Sequence, residues 1–214
     1  MFVQDSGKTI AWDVDDVLND LMRAWFEHCW MRSHPDCSLG YDQISENPPD
    51  ALLGISSAEY LASLDGFRLS ESARTMLPIP EVLAWFRQYG KYYRHLALTA
   101  VPLRAASVSA AWVMRHFGSW IRSFHLVPSP RQGERIPDYD QTKKDFLRWW
   151  GKVDILIDDN PANVAAARSL GIQTILVSRP WNQGKRTLAQ TLDFLTELIR
   201  HPTVNDKLKE EVDT

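Results

Sequence analysis

The chain is poor in cysteine, has no surplus of positive charge and contains no long apolar run. Only two cysteines, Cys29 and Cys37, occur in 214 residues. Neither has a Cys or His at zinc-ligand spacing in a turn, although His34 lies nearby, so reduced thiols are expected rather than a disulfide framework or a zinc site. Lys+Arg number 24 against 27 Asp+Glu, a net charge of −3, and the pI is about 6.1. That balance gives no reason to expect a nucleic-acid polymer as partner, because such binding leans on clustered positive charge. No apolar stretch approaches the ~20 residues of a membrane span, and Met1 to Ser6 lack the pattern of a signal peptide. A cytoplasmic protein without a membrane partner is the expectation. The six histidines, His28, His34, His95, His116, His125 and His201, show no paired metal spacing. Gly7-Lys8-Thr9 looks like the end of a P-loop, but the earlier glycine would fall on Phe2, and the segment precedes a strand rather than following one.

What is present is ordinary globular material, 44% hydrophobic and 24% charged, with nine tryptophans. The length exceeds one typical domain of ~150 residues and falls short of two, which suits one core carrying an insertion. Lys8 to Trp12 reads as a short buried strand ending at Asp13. Leu18, Leu21, Met22, Trp25, Phe26, Cys29 and Trp30 then recur at helical spacing. Residues 35–78, with Pro35, Pro48, Pro49 and Pro78, read as small helices and loops, with Ser56-Ser57-Ala58-Glu59 as a helix start. From Pro80 a regular alternation begins. Helices are predicted from Pro80, from Pro102 to about Phe117, from Thr142 to Trp150, from Pro161 to Leu170 and over 187–200. Strands are predicted at His95–Thr99, Ser123–Val127, Asp154–Ile157 and Ile172–Val177. Residues 128–140 read as a loop, and 201–214 as a polar tail.

Strands alternating with helices imply an α/β, Rossmann-like, doubly wound parallel sheet. Ligands in such sheets sit at the carboxyl ends of the strands. Three strand ends are polar: Asp13-Val14-Asp15-Asp16, Thr99-Ala100 and Asp158-Asp159-Asn160. Asp13, Asp15, Asp158 and Asp159 brought together would repel one another, by about 4 kcal/mol for two unit charges 4 Å apart at an effective dielectric of 20. Such a cluster calls for a cation, and all-oxygen ligands suit Mg²⁺.

The order Asp-x-Asp, Thr, Lys143-Lys144 at a helix start, then an acidic pair resembles the four motifs of the haloacid dehalogenase-like hydrolase superfamily. The resemblance covers about residues 7–180 apart from the insertion. It implies a core over 1–18 and 79–200 and a small helical cap over 19–78, inserted after the first strand. It implies a Mg²⁺-dependent phosphomonoester hydrolase in which Asp13 is the nucleophile and Asp15 the general acid, then base. Thr99, the Ala100 N–H at a helix start and a lysine would hold the phosphoryl group. Lys143 fits the lysine position better than Lys144, though both remain candidates. The implied metal ligands are the Asp13 carboxylate, the Asp15 backbone carbonyl and the Asp158 carboxylate, with Asp159 acting through water. One departure is Asp16, which stands where many members have glycine.

Within the superfamily the sequence looks most like the 5′(3′)-deoxyribonucleotidase-like branch (cytosolic type C 5′-nucleotidases). The resemblance is carried by Asp13 to Leu18, Asp154 to Pro161 and Arg179-Pro180-Trp181-Asn182. It implies nucleoside monophosphates as substrates. Sugar phosphates or other small phosphomonoesters are the alternative, and a non-catalytic binding protein is a further one. A homodimer is left open. Trp25, Phe26, Trp30, Tyr41, Tyr60 and Phe67 could stack a base, but the first three share a stripe with Leu21 and Met22 that reads as core. Arg131 and Arg135 read as solvated loop charges, and Trp149-Trp150 as packed on the sheet.

Overall fold

The computed structural model describes residues 7–200; the first six residues and the tail from 201 to 214 lie outside the described residues. Five strands form one sheet: β1 (Thr9–Trp12), β2 (Arg94–Val101), β3 (Ile121–Pro128), β4 (Ile155–Asp158) and β5 (Gln173–Leu176). Their order is β3-β2-β1-β4-β5, and every pairing is parallel. The chain builds outward on one side of β1 and then returns to build on the other. The crevice at that reversal, between β1 and β4, is where such sheets take ligands.

Period-two alternation decides which helices cover which face. Ile10, Trp12, Ala97, Ile155 and Ile157 point to one side. There they meet α6 (Pro80–Tyr89), α7 (Leu103–Phe117) and α10 (Leu188–Arg200), through Trp85, Phe86, Trp112, Phe117, Leu192 and Leu195. Ala11, Leu96, Leu98 and Leu156 point to the other. There Phe146 and Leu147 of α8 (Lys143–Trp150) and Ala167 of α9 (Pro161–Arg168) cover them. The sheet is therefore doubly wound, as the alternation of elements predicts.

A helical layer lies between β1 and β2 in sequence. It comprises α1 (Leu21–Trp25), a π-helical turn (Phe26–Trp30) that continues into α2 (Met31–Ser33), then α3 (Asp50–Leu53), α4 (Ser57–Leu69) and α5 (Glu71–Thr75). It has an apolar cluster of its own, in which Leu21, Met22, Trp25, Phe26, Trp30, Tyr41, Tyr60, Leu64 and Phe67 are buried. The Ser56 hydroxyl accepts from the Glu59 N–H while the Glu59 carboxylate accepts from the Ser56 N–H, so a capping box starts α4 as the sequence signals.

Several smaller expectations fail. Trp149 does not pack on the sheet: it is 72% exposed, and only Trp150 packs against the buried cluster. β2 runs on through Ala100 to Val101, and α7 begins at Leu103 after Pro102. Ala100 is therefore a strand residue opposite Val127 and not a helix start. The hydrophobic run His95–Thr99 marks where β2 is buried, and pairing with β3 extends it past that run.

His95 is buried in β2. Its Nδ1 accepts from the Trp12 indole N–H at 3.0 Å, and its Nε2 lies 2.9 Å from the Gly90 carbonyl. Burial pushes the imidazole down to about 4 from its usual 6.5. The folded value lies below the unfolded one, so the unfolded chain binds the proton first and stability is lost as pH falls from 6.5 towards 4. Through this group alone the fold should be about 2 kcal/mol less stable at pH 5 than at pH 7. Urea titrations of His95→Gln at both pH values should show a difference smaller by that amount; an unchanged difference would contradict a buried neutral imidazole.

Candidate active site

Register brings the polar strand ends together. Trp12 pairs with Ala97 on β2 and with Ile157 on β4, so Asp13 leaves the sheet beside Asp158. The Asp13 N–H still donates to the Ile157 carbonyl at 2.9 Å. The chain then turns sharply, with the Val14 carbonyl accepting from the N–H groups of Val17, Leu18 and Asn19. Asp16 sits at φ 62° within that turn. The left-handed region normally favours glycine, and aspartate is among the few side chains that tolerate it. Here its carboxylate also accepts from the Met22 N–H at 3.0 Å, and its carbonyl accepts from Arg179 Nε at 2.7 Å. Asp16 thus fills the glycine position without loss of the turn.

Lys143 opens α8, whose start is fixed by a capping box between Thr142 and Asp145. Its ammonium lies 2.8 Å from Asp13 Oδ2 and 2.7 Å from Asp158 Oδ2. Burial alone would pull this lysine down, but the two carboxylates hold it above the ordinary lysine range. Lys144, one step round the helix, is only half-buried; of the two candidate lysines, Lys143 is the one at the strand ends. Asp158 is fully buried, and its Oδ1 accepts from the Asn160 N–H at 2.9 Å and from Asn163 Nδ2 at 3.2 Å.

Asp13, Asp158 and Asp159 each offer a carboxylate oxygen, and these atoms lie within 4.8 Å of one another. All three residues are buried. Burial raises Asp13 well above the usual carboxylate range, with Lys143 opposing and Asp158 and Asp159 adding to the rise. Burial, then Asp158, raises Asp159 to about 6. Three close, buried, all-oxygen donors fit a hard divalent cation such as Mg²⁺.

A cavity of about 140 Å³ opens over this group. Asp13, Asp15, Thr99, Ala100, Lys143 and Asp159 all line it, so the sequence-predicted residues converge; Asp158 lies beneath it. Thr99 is 1% exposed, and its hydroxyl oxygen is buried without a hydrogen-bond partner. Tyr60, Leu64, Met22, Asn47 and Arg68 form the wall contributed by the helical layer.

Sequence reasoning missed several participants. Arg68 reaches Asp15 from α4, and Asp65 joins Arg68 to Arg131. Arg131 is thus a buried partner of Asp65 and not a solvated loop charge, because the loop after β3 folds back onto α4. Asn163, one turn into α9, was not singled out either. The only signal for Asp65 and Arg68 is their i, i+3 spacing, which ordinarily marks an exposed pair. The segment 179–182 braces the acidic group: Trp181 Nε1 donates to Asp159 Oδ2 at 2.8 Å, Asn182 Nδ2 to the Asp159 carbonyl at 2.8 Å, and Arg179 pairs with Asp20.

No family model matches the chain, and no curated protein matches it. Solved structures do. A haloacid dehalogenase-like family hydrolase from Streptococcus pneumoniae superposes with a TM-score of 0.59 at 14% identity, over 89% of this chain and 92% of that one. A candidate phosphoglycolate phosphatase from Lactobacillus delbrueckii gives 0.56 at 15% identity, over 90% and 98%. A candidate beta-phosphoglucomutase from Thermotoga maritima gives 0.53 at 18% identity, over 89% and 99%. At such identities the likeness establishes architecture alone: the chain has the fold of the haloacid dehalogenase-like hydrolases.

Proposed function

We propose that the protein is a Mg²⁺-dependent phosphatase acting on small phosphomonoesters through an aspartyl-phosphate on Asp13. The observation that carries this reading is the Asp13 carboxylate held by Lys143 beside Asp158 and Asp159, in one cavity with an unpartnered Thr99 hydroxyl. Similar architecture in hydrolases that include a candidate phosphoglycolate phosphatase supports it.

The chemistry follows from the positions. An Asp13 oxygen attacks phosphorus, the bond from phosphorus to the leaving oxygen breaks, and Asp15 gives that oxygen a proton. A water then loses its proton to the Asp15 carboxylate and attacks the aspartyl-phosphate. Inorganic phosphate leaves, and both aspartates return to their starting states. Lys143 offsets the charge on Asp13 and on the phosphoryl oxygens, while Thr99 donates its free hydroxyl to one of them. Asp13, Asp158 and the Asp15 carbonyl would hold the metal, with Asp159 directly or through water; a bound Mg²⁺ supplies charge neutralisation that the phosphoryl oxygens need. The helical layer 19–78 would serve as the cap that excludes water and selects the leaving group.

Size favours a small ester over a nucleotide. Sites for drug-sized ligands run from about 300 Å³ upward, and this cavity holds about 140 Å³. Trp25, Phe26, Trp30, Tyr41 and Phe67 are buried in the helical layer's own cluster, and of the six candidate aromatics only Tyr60 lines the cavity. Arg179, Trp181 and Asn182, from one of the three segments behind the nucleotidase resemblance, are engaged in bracing Asp16, Asp20 and Asp159.

A panel of phosphomonoesters with free phosphate as readout should show turnover of two- to six-carbon phosphates above that of nucleoside monophosphates. Preference for a nucleotide over its ribose phosphate would reverse the substrate assignment. Asp13→Asn should lower turnover roughly 10⁴-fold or more with the fold intact; an active Asp13→Asn protein would reject the mechanism. Chelation should abolish phosphate release, and Mg²⁺ should restore it. Mg²⁺ at about 100 times its Kd should stabilise the fold by about 2.7 kcal/mol in thermal melts. An equal Mg²⁺ shift in Asp158→Asn would remove Asp158 from the ligand set.

A further inference from the structure

Asp15 is held by one side chain from its own turn, Asn19, and by one from far along the chain, Arg68. Arg68 Nη2 lies 3.0 Å and Nε 3.3 Å from Asp15 Oδ2, while Asn19 Nδ2 lies 3.3 Å from Oδ1. Arg68 Nη1 donates to Asp65 Oδ1 at 3.3 Å. Asp65 in turn receives the Arg131 guanidinium as a fork, with Nε at 2.7 Å from Oδ2 and Nη2 at 3.0 Å from Oδ1. The remaining Arg131 nitrogen, Nη1, is tied to the Ser129 carbonyl at 3.0 Å and to its hydroxyl at 2.9 Å. Two acids and two bases alternate, and none of the four side chains is more than 18% exposed.

Buried ion pairs of this kind are poor stabilisers, because desolvation offsets most of the attraction. Their presence is better explained by the geometry they impose. Both Asp15 oxygens are held: Oδ1 by Asn19 in the same turn, and Oδ2 by Arg68, whose own anchor through Asp65 and Arg131 lies in the loop after β3. We infer that Arg68 is a positioning residue for Asp15, braced through Asp65 by Arg131, so that the helical layer aims the group that protonates the leaving oxygen. This rests on the hydrolase reading above. Proton transfer from Asp15 to the leaving oxygen as its bond to phosphorus breaks needs hydrogen-bond reach, and a displacement of about 1 Å removes much of its benefit.

The inference separates substrates by leaving group. Acetate departs from acetyl phosphate without needing a proton, whereas ethoxide departs from ethyl phosphate only with one. Arg68→Met should lower kcat on ethyl phosphate about 10²-fold and on acetyl phosphate by roughly threefold at most, with KM little changed. Arg68→Lys should recover part of the loss. Arg131→Met, which alters a residue remote from Asp15, should show the same selectivity with a smaller loss, and it decides the matter if Arg68→Met fails to fold. Equal loss on both substrates, a gain on ethyl phosphate, or an unaltered ratio in Arg131→Met would overturn the inference. A wild-type chain that hydrolyses neither ester would overturn the hydrolase reading itself, and this inference with it.

Discussion

One buried ammonium makes the rest of the site tenable. Lys143 stands between Asp13 and Asp158, within 2.8 Å of each, with almost no exposure to water. Without it two carboxylates would share a dry strand end with Asp159 close by, and removal of one partner from a buried pair typically costs 3–5 kcal/mol. The sheet supplies the acids by register, since residues following Trp12 and Ile157 must emerge side by side. α8 supplies the counter-charge by starting where it does, and the Thr142 cap fixes that start. A capping box on the surface therefore sets the position of a charge at the centre.

The acidic side of the balance remains in excess. Asp13, Asp158 and Asp159 outnumber the one lysine among them, and burial keeps two of the three well above the ordinary carboxylate range. A divalent cation bound among these oxygens would offset that excess, and the proposed phosphoryl transfer draws its nucleophile from the same cluster. The helical layer contributes differently. Its apolar cluster takes in Trp181, which also donates to Asp159, and its link to Asp15 runs through the charged pairs of Arg68.

Much of this was legible in the sequence because the signals are local. The ends of β1 and β4 announce themselves as apolar runs stopped by Asp13 and Asp158, and helix starts as Ser56 and Thr142 followed three residues later by an acid. The doubly wound sheet follows from alternating elements. What was not legible depends on contacts distant in sequence. Arg68 meets Asp15 across 53 residues and Arg131 meets Asp65 across 66, and an isolated i, i+3 pair such as Asp65–Arg68 looks like any solvated helix face. The Ala100 error has the same root: pairing with β3 carries β2 beyond the buried run that suggested its end. Asp16 departs from the family pattern in residue type but not in backbone, since it adopts the left-handed φ of 62° that a glycine would take, and that angle is not written in the sequence.

The central claim is that Asp13 accepts the phosphoryl group. Rapid mixing of the Mg²⁺-loaded protein with a hydrolysed phosphomonoester, followed by acid quench, borohydride reduction and peptide mass spectrometry, tests it directly. The account predicts conversion of residue 13 to homoserine, absent without substrate. Turnover that proceeds with residue 13 unmodified, or with the label on another residue, would contradict it.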